Sequence, residues 1–124
     1  MTLQELYESI GGDYSQVMRI LRMEKLVDKH IRKFSRNGVV ERLLEAGQRK
    51  DPTELFEASH AMKGICGNLG LKALCDLASE ISEEFRPGSA RRMSDEEVDQ
   101  KLEEIAASYQ KVKEGILQYA EALQ

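Results

Sequence analysis

The chain has no tryptophan, two prolines, two cysteines and two histidines among its 124 residues. Each scarcity excludes something. Aromatics make up 6% and β-branched residues are few, so no strand pattern competes, and with so little proline the whole chain is free to be helical. Cys66 and Cys75 form no metal-type pair and have no histidine at ligand spacing. They are expected to be reduced and structural, since free cysteine usually behaves as a small buried hydrophobe. No apolar run approaches the roughly 18 residues a membrane span needs. Met1 to Glu5 lacks the pattern of a secretory leader, so a cytoplasmic location is expected. The formal charge of −4 provides no basic footprint and argues against nucleic acid as a partner. There is no phosphate-binding glycine loop, no dinucleotide fingerprint and no His-Glu-x-x-His pair. Neither an independent enzyme nor a cofactor or metal site is expected.

What is present is helical periodicity. The length suits one domain with a core large enough to fold alone. Thr2-Leu3-Gln4-Glu5 has the form of a capping box and opens a short helix that Gly11-Gly12 stops. Asp13 caps a second short helix carrying Tyr14, Val17, Met18 and Leu21. Leu26, Val27, His30, Ile31 and Phe34 share one stripe of the next segment, and whether that segment continues the preceding helix stays open. His30, lying among apolar residues, is read as a partly buried, hydrogen-bonded structural histidine. Ser35 to Gly38 breaks the pattern, and Val39, Val40, Leu43 and Leu44 resume it.

Asp51-Pro52-Thr53-Glu54 is a helix start, with Asp51 at the N-cap and Pro52 at the first helical position. Leu71, Leu74, Leu77, Ala78, Ile81 and Phe85 mark the following helix, an antiparallel neighbour because the link is short. Arg86 to Met93 reads as a mobile, positively charged loop. Ser94-Asp95-Glu96-Glu97 is a further capping box. Beyond it Val98, Ile105, Val112 and Tyr119 recur every seven residues, interleaved with Leu102, Tyr109, Ile116 and Leu123. That seam belongs either to a coiled-coil dimer or, more simply, to the long arm of an intramolecular bundle. The fold expected is an all-α, up-and-down four-helix bundle with short additional N-terminal helices. Its parts would be residues 1–50 (N-terminal helices and first arm), 51–69, 70–86 and the long last helix 94–123, in one domain spanning 1–124.

One histidine breaks the apolar logic. At about 100° per residue, Leu55, Ala58, Met62, Ile65 and Leu69 gather on one side of the 52–69 helix and His60 falls opposite, toward water. Lys63 and Gly64 neighbour it one turn on, and Gly67 lies two turns along the stripe. A glycine inside a helix costs about 1 kcal/mol relative to alanine. Packing does not explain one on a solvated face, whereas close approach by a partner does. An exposed imidazole on a convex face makes a poor enzyme pocket. It does suit acceptance of a phosphoryl group, because neutral imidazole is nucleophilic near pH 7 at the ordinary histidine pKa of about 6.5. Phosphoryl transfer asks mainly for positioning and charge neutralisation. Lys63 would supply the charge and Gly64 the room.

The run Ser59 to Gly70 resembles the signature of histidine-containing phosphotransfer (HPt) domains, roughly Ala-His-x-Leu-Lys-Gly-x-x-x-x-Ile/Leu-Gly. His60, Lys63, Gly64, Leu69 and Gly70 match it; Ser59 and Met62 stand where Ala and Leu or Ile are usual, and the stretch from Asp13 to Phe34 is longer. The resemblance implies a four-helix bundle with His60 as phosphoryl acceptor, Lys63 as charge stabiliser and Gly64 as clearance for the partner. It implies response-regulator receiver domains and hybrid histidine kinases as partners in a multistep phosphorelay, with Mg²⁺ on the receiver only. Gly67, Glu57 and Lys72 are expected on the docking surface, and the chain is expected to act as a monomeric, stand-alone carrier. The alternative is a receiver-binding or coiled-coil interaction module without phosphotransfer.

Overall fold

The computed structural model describes residues 1–122, and they form seven helices: α1 (Leu3–Ser9), α2 (Tyr14–Leu21), α3 (Glu24–Phe34), α4 (Val39–Arg49), α5 (Pro52–Asn68), α6 (Lys72–Glu84) and α7 (Asp95–Ala122). Among the described residues there is no strand. Helices α4 to α7 make an up-and-down four-helix bundle in which α4 and α6 each pack between α5 and α7. Helix α3 extends the α4 arm past a break at 35–38 and lies against the C-terminal half of α7. Helices α1 and α2 close that end.

Local chemistry sets the helix ends. Thr2 and Glu5 form the reciprocal capping box, and Ser94 and Glu97 form another. Asp51 accepts from the N–H groups of Thr53 and Glu54, with Pro52 at the first position. Helices α2 and α3 are separate: Arg22 adopts a left-handed conformation with φ 67°, turning the chain between them. The 35–38 break is capped by Asn37, whose Oδ1 accepts from the N–H of Val39 at 3.2 Å.

The core is continuous, with Leu6, Tyr7, Ile31, Leu43, Leu55, Met62, Leu74, Ile81 and Ile105 shut off from water. Each such side chain contributes on the order of 1.5–3 kcal/mol by leaving water. The seven-residue seam of α7 faces this core. Val98, Leu102, Ile105, Tyr109, Val112, Ile116 and Tyr119 are all buried, so within the described residues no apolar stripe of α7 is left for a dimer; Leu123 lies outside them. Two seam tyrosines also reach polar partners on the broken arm. Tyr109 donates to Glu41 at 2.8 Å and Tyr119 to Asp28 at 2.6 Å. Burial and the nearby Asp28 carboxylate push the Tyr119 phenol up to about 12.

The N-terminal helices grip the turn between α5 and α6. Tyr7 donates to the Leu69 carbonyl at 2.6 Å, and the Asp13 N–H to the Gly70 carbonyl at 2.7 Å. Gly70 has φ +67°, and a Cβ there would stand 2.7 Å from the Asp13 carbonyl oxygen, so glycine is required both by the turn and by the approach of α2.

Two expectations fail. His30 is exposed rather than partly buried, because α3 buries only a narrow stripe centred on Val27, Ile31 and Phe34. The imidazole sits instead on the rim of a cleft of about 330 Å³ between α3 and α5, with Lys33, Asn37, Ile65 and Asn68. The cationic 86–93 loop is not loose. The carboxylate of Glu84, itself buried, accepts the N–H groups of Arg92 and Met93 and the guanidinium of Arg91.

Candidate functional site

Helix α5 fixes the orientation of His60. Leu55, Ala58, Met62 and Leu69 are buried in the core and Ile65 is half-buried, which turns His60 outward on the opposite face. Ser59, next to it, is fully buried and satisfies its hydroxyl within the helix by donating to the Leu55 carbonyl at 2.6 Å. It therefore packs as the usual alanine would, without an orphaned polar group.

The imidazole stacks on Phe56 one turn earlier, with ring centroids 5.5 Å apart and planes inclined by 23°. The Arg86 guanidinium lies 5.9 Å from the same phenyl centroid and is held by Glu83 at 2.5 Å. Arg86 is the main cause of a lowered Glu83 pKa, and Lys63 adds a smaller lowering. Lys63 is half-buried, its carbonyl 3.7 Å from the Cys75 sulfur. Both thiols are free, and burial pushes Cys66 up to about 12.

The two glycines of the outer stripe differ. A Cβ on Gly64 would meet nothing within 4 Å, so the space beside His60 is open. Gly67 is half-buried: a Cβ there would sit 3.6 Å from the Cys75 sulfur, and its carbonyl accepts from Gln16 at 3.3 Å. Gly67 is thus partly covered by α2 and α6, a consequence of the helix wheel ignoring what lies across from it.

Glu57 is exposed on the α4 flank, lining a cleft with Arg42 and Ala46. Lys72 is exposed at the start of α6 and paired with Asp76 at 3.0 Å. The structure therefore places Lys63, Gly64 and Glu57 each within about one turn of His60 along α5. Lys72 stands at the far end of that helix, which places it on the order of 12 Å or more along the axis from His60 at 1.5 Å per residue. Sequence reasoning did not single out Phe56 or Arg86. The only signal for Phe56 was its i−4 spacing from His60; Arg86 carried none. Among the described residues no group of three or more His, Cys, Asp or Glu side chains is placed to hold a metal ion, and no helix is long and apolar enough to cross a membrane.

Comparison with curated proteins and with solved structures finds no match. The family model of the Hpt domain, a phosphoryl-carrying module of two-component signalling rather than a kinase, matches residues 22–117. The match begins at the Arg22 turn, takes in α3 to α6 and most of α7, and leaves α1 and α2 outside. Covering most of the chain, and joined to an all-helical bundle, it establishes that this chain belongs to the Hpt domain family.

Proposed function

We propose that the chain carries phosphoryl groups in a multistep phosphorelay, exchanging them between His60 and the aspartates of receiver domains. The observation that carries this reading is the exposed His60 on α5 beside a Gly64 whose Cβ position opens onto empty space. A nitrogen of the imidazole would attack an aspartyl phosphate brought by the partner, which supplies the concave half of the site and the Mg²⁺. Lys63 would offset charge on the phosphoryl oxygens. The absence of a side chain at Gly64 would let the partner's rim descend to the ring. Glu57, Gly67 and Lys72 would lie at the margins of that footprint. The protein needs no cofactor of its own on this reading, and works as a monomer in the cytoplasm with response regulators and hybrid histidine kinases as partners.

The test is incubation with a phosphorylated receiver domain and Mg²⁺, followed by analysis for acid-labile, base-stable label. Label on the wild type and none on His60→Gln supports the carrier role. Tight receiver binding without label would replace it by a binding module that does not accept phosphate.

A further inference from the structure

An exposed imidazole on a convex helix is a rotor: two side-chain torsions place its nucleophilic nitrogen in several directions. Among the described residues no hydrogen bond restrains His60, and the one directional contact it makes is the stack on Phe56. The Phe56 ring is itself held. It lines a groove with Pro52, Thr53, Phe85, Arg86 and Pro87, where the chain leaves α6. Arg86 lies over the ring and is fixed to Glu83 by bonds of 2.5 and 3.3 Å. Further along the same connection, residues 91–93 are pinned by Glu84. The platform under the imidazole is thus built by α5, α6 and the segment that leaves α6, not by the one helical turn that separates Phe56 from His60.

We propose that Phe56 is a positioning residue for His60: its ring holds the imidazole in one orientation on the surface and favours the charge the imidazole acquires on phosphorylation. This rests on the reading of His60 as the acceptor. In the transfer step a lone pair on one ring nitrogen forms the N–P bond. The P–O bond to the donor carboxylate breaks, and its electron pair leaves on that carboxylate. The ring keeps the proton on its other nitrogen, so positive charge spreads over both nitrogens. The face of a benzene ring attracts a cation, and here it lies against the ring that becomes cationic. Orientation acts before transfer and charge stabilisation during it, and the reverse transfer to a receiver starts from the same pose. One imidazole face is covered by Phe56, so the partner approaches along the other face and the ring edge, on the side where Gly64 leaves space.

The test uses the full chain with Phe56→Ala, Phe56→Leu and Phe56→Tyr. The ring signals of the two histidines are followed by NMR, with His30, on α3 and outside the groove that Phe56 lines, as the internal control. The transfer rate from a phosphorylated receiver domain with Mg²⁺ is measured on the same samples. Phe56→Ala is expected to move the His60 ring signals and leave those of His30 in place. It should slow transfer about fivefold, equivalent to about 1 kcal/mol of transition-state stabilisation. Phe56→Tyr should restore both readouts, and Phe56→Leu, which packs without an aromatic face, should restore the rate only in part. His60 signals in Phe56→Ala identical to wild type, or an unchanged rate with His60 labelled, would overturn the proposal. Absence of label on the wild type would instead overturn the acceptor reading, and the positioning role with it. The NMR arm, which needs no donor, would then still report whether the stack forms.

Discussion

The buried carboxylate of Glu84 accepts the backbone N–H of Met93 at 2.9 Å and the Arg91 guanidinium at 2.9 Å. The Arg92 N–H completes the set at 3.0 Å. A carboxylate that is 4% exposed thus organises the start of the segment leading into α7. Burial alone would raise its pKa, but the Met93 N–H, the Arg91 guanidinium and the Arg92 N–H together hold it below the usual carboxylate range. Because the folded pKa lies below the unfolded one, the stabilisation is complete above about pH 4.3, the unfolded value. It is lost as pH falls through the folded pKa. Glu84→Gln is expected to lower stability by about 2 kcal/mol at neutral pH. In acid the gap to wild type should narrow as the native carboxylate protonates. Denaturant titrations at neutral and acid pH measure both; a gap that stays constant would show that the charge is not what the loop uses.

Gly64 offers an opposed pair of effects. With open space at its Cβ position, Gly64→Ala should stabilise the helix by about 1 kcal/mol. That is a rise of about 4 °C in melting temperature for a domain near this size. Gly64→Gln should remain at least as stable as wild type yet lose transfer from a receiver, because its side chain would stand between partner and imidazole. A calorimetric scan beside a transfer assay separates the two; full transfer by Gly64→Gln would remove the clearance role.

Gly70 predicts the reverse balance. Alanine there combines a left-handed backbone with a Cβ 2.7 Å from the Asp13 carbonyl. Gly70→Ala should cost about 1–3 kcal/mol. Hydrogen exchange should then show the loss first at the α1–α2 end, where the Asp13–Gly70 bond is made. Unchanged protection there would mean the turn relaxes without strain.

The two histidines make an internal comparison. Both are exposed, and both precede a lysine by three residues. His60→Gln should keep its stability within about 0.5 kcal/mol and lose all label. His30→Gln, on a cleft rim without the adjoining glycine, should keep the label. Label that moves with His30 would reassign the acceptor.

Much of this was readable from the residues, and the misses have physical causes. The caps at Thr2, Asp13 and Asp51 were legible because capping is local chemistry, closed within three residues. The outward turn of His60 was legible because α5 buries its apolar side against the core of a bundle. His30 was misplaced by the same wheel because α3 meets fewer neighbours and buries a narrower stripe. The left-handed turn at Arg22 carried no signal, since glycine or asparagine normally marks one. Glu84 carried no signal of its own; its burial depends on residues 91–93 folding back on it. The stack on Phe56 shows in the i−4 spacing only once the ring is known to be gripped from the α6 side.

The grip of Tyr7 and Asp13 on the Leu69–Gly70 turn separates two boundaries that are easily taken as one. The family match begins at residue 22. The packed structure begins earlier, because the segments upstream of that point supply hydrogen bonds to the turn at the end of α5. The matched module and the hydrogen-bonded fold therefore have different edges. A fragment trimmed to the recognisable motif would retain His60 while losing the staple at the end of its helix.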